Sequence, residues 1–86
     1  MALQQSRRKI DALDDQLLEL LAQRLEICKE IAEHKKKNNL PIQDREREVE
    51  IINNGIETFK RLGFDDQEFV TKIFELVMKK SREVQQ

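Results

Sequence analysis

Gly55, Gly63 and Pro41 are the only glycines and the only proline in 86 residues, so almost nothing in this chain interrupts a helix. Between residues 4 and 37 there is no breaker at all. Over that span Ile10, Leu13, Leu17, Leu20, Ile27 and Ile31 recur in alternating steps of three and four, with Arg24 the one break in the series. That spacing predicts a single amphipathic helix, ended by Asn38, Asn39 and Pro41, because Asn suits helix termini and Pro forces its predecessor into extended geometry. About 33 residues at 1.5 Å rise make a rod of roughly 50 Å, far longer than a small domain is wide.

A second helix is expected over residues 44–62, with Asp44 as N-cap, Glu46 and Glu48 in or near its first turn, and Gly63 at the left-handed position that closes it. Its stripe is Val49, Ile52, Ile56 and Phe59, and Gly55 inside it counts as a mild loss of helix propensity. Asp65 followed by Glu68 reads as a capping box opening a third helix to about residue 84, with Val70, Ile73, Phe74 and Val77 as its stripe. No alternating strand pattern appears, so the fold class is all-α, three helices in one domain over residues 1–86.

The later helices are each near half the length of the first, so part of the long stripe stays uncovered unless another chain packs there. Composition agrees: 38% hydrophobic residues against roughly 45–50% in ordinary domains leaves a thin core for a lone monomer. An intertwined helical homodimer is therefore expected.

A net charge of −1 and an isoelectric point near 5.9 exclude a protein that coats nucleic acid. The Lys35-Lys36-Lys37 run beside His34 reads as a solvated helix end, since there is no Trp or Tyr to stack on bases. Cys28 is the only cysteine, which forbids an intrachain disulfide and fits a reducing compartment; it reads as a small core residue. Apolar runs are far shorter than the roughly 20 residues a membrane span needs, and the N-terminus lacks a signal-peptide core, so a soluble cytoplasmic chain is expected. His34 has no second His or Cys at ligand spacing, so no metal and no cofactor is implied.

The informative residues are charges placed where the core should be. At 100° per residue Arg24 lies within about 20° of Leu13, Leu17 and Ile31, and Lys35 falls about 20° from Arg24, some 16 Å further along the axis. Glu48 shares a face with Ile52, and Ser81 and Gln85 end the apolar face of the third helix. Taken singly, each is open to a structural reading, as a stripe-edge group reaching water or as an ion pair such as Arg24 with Glu48. Together they repeat the desolvation cost on three helices, and Arg24 with Lys35 outnumber Glu48, which implies a small anionic guest.

These residues stand in blocks that resemble the all-helical class of chorismate mutase along essentially the whole chain. Arg7-Arg8-Lys9-Ile10-Asp11-Ala12-Leu13-Asp14 opens the long helix, Leu20-Leu21-Ala22-Gln23-Arg24 lies in its middle and Lys35 near its end. Pro41-Ile42-Gln43-Asp44-Arg45-Glu46-Arg47-Glu48 opens the second helix, and Phe74-Glu75-Leu76-Val77-Met78-Lys79-Lys80-Ser81 with Gln85 closes the third. The resemblance implies rearrangement of chorismate to prephenate, on the route to phenylalanine and tyrosine, with chorismate as the bound partner. It implies that Arg24 and Arg7 bind the substrate carboxylates, Arg7 reaching over from the other subunit, with Arg8 as the alternative for that role. Lys35 and Gln85 would donate to the ether oxygen and Glu48 accept from the ring hydroxyl, while Asp44, Arg47 and Ser81 line the pocket. Two other readings are weighed against it. One is isochorismate-pyruvate lyase of the same fold, whose second helix usually lacks the Asp-x-x-Arg-Glu pattern kept here as Asp44, Arg47 and Glu48. The other is a non-catalytic helical dimerisation module.

Overall fold

The computed structural model describes residues 2–86, and these form three helices, α1 Ala2–Lys37, α2 Arg45–Arg61 and α3 Gln67–Gln85, with no strand among the described residues. The joints close as backbone chemistry requires. At the end of α1 the Leu40 N–H donates to the Lys35 carbonyl at 2.8 Å, which demands a left-handed residue in between. Asn39 takes that conformation at φ 54. After α2 the Phe64 N–H reaches the Phe59 carbonyl and the Gly63 N–H the Lys60 carbonyl, each at 3.0 Å, with Gly63 at φ 100. The Phe59 and Phe64 rings stack at 5.1 Å across this turn, the apolar contact that accompanies such a closure.

Asp44 caps α2, its carboxylate accepting from the Arg47 N–H at 3.1 Å. The cap of α3 is Asp66, accepting from the Phe69 N–H at 3.1 Å, and not Asp65 as the capping-box spacing predicts. This one-residue shift moves Glu68 out of the reciprocal position. It sets Phe69 5.8 Å from the Phe59 ring, so packing across the turn decides the register over the local motif.

α3 lies against both other helices, while the backbones of α1 and α2 make no close contact with each other. Its buried residues are Val70, Met78 and Ser81, and Ile73, an expected stripe residue, is 41% exposed. The correction follows from that central position, because a helix gripped on two sides buries a face that a single stripe does not describe. Gly55 also acquires a structural role. A Cβ there would stand 2.7 Å from Phe74 Cε2 and 3.0 Å from Val70 Cγ1, so the residue permits the close approach of α2 to α3. Gly55→Ala is expected to lower stability by about 1–3 kcal/mol despite alanine's better helix propensity, read as a lower melting temperature.

The molecule measures 56 × 24 × 16 Å, with a radius of gyration of 16.0 Å against about 12 Å for a compact chain of this length. Every residue from 2 to 20 is exposed. Leu13, Leu17 and Leu20 are 61%, 56% and 62% exposed, so the stripe read from the sequence is present and uncovered in a single copy. Among the described residues the buried apolar core holds only Cys28, Val70 and Met78. Among the described residues no helix is long and apolar enough to cross a membrane.

Candidate active site

The C-terminal half of α1, the start of α2 with the segment leading into it, and the end of α3 line a cavity of about 260 Å³. Arg24, Lys35, Asp44, Arg47, Glu48, Ser81 and Gln85 all line it, seven of the eight residues singled out from the sequence. Ile27, Cys28, Ile31, Ile42, Ile51 and Met78 make its apolar wall. Three separate helical faces thus meet at one small space.

Arg24 is half-buried and donates to Ser81 Oγ at 2.5 Å, with Cys28 Sγ 3.8 Å from the same nitrogen. Ser81 Oγ in turn donates to the Val77 carbonyl at 2.8 Å, which fixes the hydroxyl as acceptor for the guanidinium. Lys35 is half-buried as well and donates to the Ile42 carbonyl at 2.6 Å. The first joint therefore positions the ammonium: Pro41 and the closure at Asn39 bring the Ile42 carbonyl back over the last turn of α1. Gln85 Nε2 donates to the Ser81 carbonyl at 3.0 Å, and its Oε1 is buried with no hydrogen-bond partner.

Glu48 is not the partner of Arg24. Its Oε2 accepts from Arg82 Nη1 at 2.6 Å, and its Oε1 faces Gln43 Nε2 at 3.4 Å. Arg47 pairs with Glu50 outside the cavity, and Asp44 is engaged at the α2 cap. Of the four cations lining the cavity, Arg24, Lys35, Arg47 and Arg82, two are met by carboxylates. Arg24 and Lys35 have no carboxylate within ion-pair distance among the described residues and are answered only by neutral oxygens. Two half-buried positive charges facing one space favour a ligand with two negative ones.

Arg7 stands apart from this cavity. It lies on the exposed half of α1, and seventeen residues of unbroken helix separate it from Arg24 by about 25 Å, beyond the reach of any side chain. Sequence reasoning missed Arg82. Its partner Glu48 lies on another helix, 34 positions away, so no local pattern marks it.

The fold and cavity define a class of protein: an all-helical chain that brings two half-buried cations, neither met by a carboxylate, to one small cavity. Residues 6–86 match the family model for chorismate mutase type II, and the chain belongs to that family. It is 33% identical over 79 residues to the chorismate mutase of Methanocaldococcus jannaschii, covering 92% of this chain and 79% of that one. It is 35% identical over 80 residues to the bifunctional chorismate mutase/prephenate dehydratase of Escherichia coli (strain K12), covering 93% of this chain and 20% of the relative. The chain thus spans about a fifth of the length of its bifunctional relatives. Among solved structures, a conserved hypothetical protein from Pyrococcus furiosus superposes with a TM-score of 0.82 at 36% identity, covering 100% of this chain and 97% of that one.

Proposed function

We propose that this chain is a chorismate mutase that converts chorismate to prephenate by an intramolecular Claisen rearrangement. The observation that carries the reading is the pair Arg24 and Lys35, half-buried on one cavity with no carboxylate to neutralise either. In this rearrangement one carbon–oxygen bond breaks as a carbon–carbon bond forms, and no proton or covalent adduct is required of the protein. Catalysis then consists of holding the dianion in its folded conformer and of donating to the ether oxygen as charge gathers there. Arg24 binds one carboxylate. Lys35 touches a carboxylate and donates to the ether oxygen, and Gln85 supplies the second donor to that oxygen. Glu48 accepts from the ring hydroxyl, while Asp44, Arg47 and Ser81 line the hydroxyl and carboxylate ends.

The second carboxylate is assigned to Arg7 of another copy, within an intertwined homodimer. Two features support this. The apolar stripe over residues 2–20 is exposed, and a groove of about 450 Å³ between α2 and α3, walled by Ile51, Phe59, Phe69, Ile73 and Phe74, offers it a matching surface. Arg47 and Ile51 line both that groove and the active-site cavity, so a helix seated in the groove passes directly beside the site. The reducing environment suited to a lone thiol and the metabolic character of the reaction fit a cytoplasmic enzyme.

Incubating the purified chain with chorismate and, separately, with isochorismate, and identifying the products, tests the reaction. Prephenate is expected. Salicylate and pyruvate formed from isochorismate would instead assign the lyase, and no turnover of either would leave a dimerisation module. The shared site has its own test: Arg7→Ala and Arg24→Leu chains, each inactive alone, should regain about a quarter of the parent activity when refolded together. Half of the random dimers are mixed, and each mixed dimer contains one intact site. No recovery would sink the exchange of Arg7 between subunits.

A further inference from the structure

Arg82 has no part in the roles just assigned, yet it forms the one ion pair that links α2 to α3 across 34 positions of sequence among the described residues. The pair is sheltered, with the Arg82 and Glu48 side chains 30% and 21% exposed, unlike the surface pairs Lys29–Glu26 or Lys72–Glu68. Resting on the reading of this cavity as a chorismate site, we infer that Arg82 is a positioning residue that keeps Glu48 from neutralising the substrate-binding cations.

The cavity contains an electrostatic conflict. It needs Glu48 as a hydroxyl acceptor and Arg24 with Lys35 as carboxylate donors, all around about 260 Å³. A free carboxylate in such a space turns to the nearest unpaired cation, because a charge-assisted pair out of bulk water is stronger than a contact with a neutral oxygen. Glu48 would then compete with the substrate for Arg24 or Lys35. Arg82 removes that option by taking Oε2 at 2.6 Å, and Gln43 holds Oε1 loosely at 3.4 Å. Oε1 is left as the oxygen with acceptor capacity for a ring hydroxyl. Arg82 and Glu48 both line the active-site cavity and also a second groove, shared with Gln43, Arg45 and Glu75, that neither Arg24 nor Lys35 lines.

The expected signature is an interaction of opposite sign between two substitutions. In Arg82→Met the KM for chorismate should rise about tenfold with a smaller change in kcat, because a competing carboxylate weakens ground-state binding. Adding Glu48→Gln to Arg82→Met should bring KM back to that of Glu48→Gln alone, and Arg82→Lys should keep most of the parent KM. Thermal melting of all four variants shows whether folding is altered. A merely structural Arg82 would lower the melting temperature and raise KM equally in both backgrounds, with no restoration by Glu48→Gln, and that result overturns the assignment. If the parent turns over chorismate but Glu48→Gln leaves kcat unchanged, the reading of the pocket itself fails and the role of Arg82 falls with it.

Discussion

Arg24→Leu is expected to lower prephenate formation by a factor of about a hundred to a thousand while the helices melt at the same or a higher temperature. The opposite movement of the two quantities follows from what Arg24 touches. Its guanidinium is half-buried in an otherwise apolar stripe, with Ile27, Cys28 and Ile31 on the same cavity wall and no carboxylate to offset its desolvation. A leucine removes a strained electrostatic situation and extends the stripe. Ser81 loses a donor but stays satisfied, because its own hydroxyl donates to the Val77 carbonyl at 2.8 Å. What disappears, on the role proposed for Arg24, is a fixed cation for a ligand carboxylate, and with it much of the force that would select the compact conformer of the substrate. Lys35→Met is expected to behave alike in activity, though it leaves the Ile42 carbonyl without the ammonium now 2.6 Å away, so its melting temperature should fall slightly. The check is a melt by circular dichroism beside an assay of prephenate. A loss of activity that merely tracks a loss of helix in Arg24→Leu would make Arg24 a structural residue and return the chain to the class of dimerisation modules.

Why these charges were legible in the sequence, and others were not, has a physical basis. The long helix needed only the absence of Gly and Pro over residues 4–37, and its end needed only the preference of Asn for a left-handed turn, which Asn39 satisfies at φ 54. Periodicity places a side chain on a face, so Arg24, Lys35 and Glu48 stood out as charges on apolar faces. Seven of the expected site residues share one cavity because three such faces are turned towards each other. Periodicity is silent on which faces meet. Gly55 looked like a flaw in α2, since nothing local shows Phe74 standing where its Cβ would go. Asp66 displaced Asp65 as cap because ring contacts of Phe59 with Phe64 and Phe69 set the turn, and those are tertiary. Arg82 was invisible for the same reason: its partner Glu48 lies 34 positions away on another helix. Arg7 is the extreme case, a residue whose assigned partner is on another molecule.

Gln85→Glu should convert an enzyme expected to be indifferent to pH around neutrality into one that works only in acid. The amide of Gln85 already spends one N–H on the Ser81 carbonyl at 3.0 Å, which holds the side chain against α3 and leaves a second N–H for the proposed bond to the ether oxygen. An amide does not titrate in this range, so the parent kcat/KM should stay nearly flat between pH 6 and 8. A steep loss there would contradict the role given to Gln85. A carboxylate at the same place cannot donate at all and would repel the developing negative charge, so only the protonated acid is competent. Activity of the variant should therefore fall about tenfold for each pH unit above the carboxyl's pKa and recover below it. Recovery should stop short of the parent level, because a carboxylic acid has one hydrogen to share between the Ser81 carbonyl and the substrate, where the amide has two. Gln85→Leu, with no donor in any protonation state, should be impaired at every pH by about a hundredfold or more. Comparing the two variants across pH thus isolates hydrogen donation from side-chain volume: parallel profiles would mean that Gln85 only fills space, and profiles that part in acid would tie catalysis to a single proton-bearing atom.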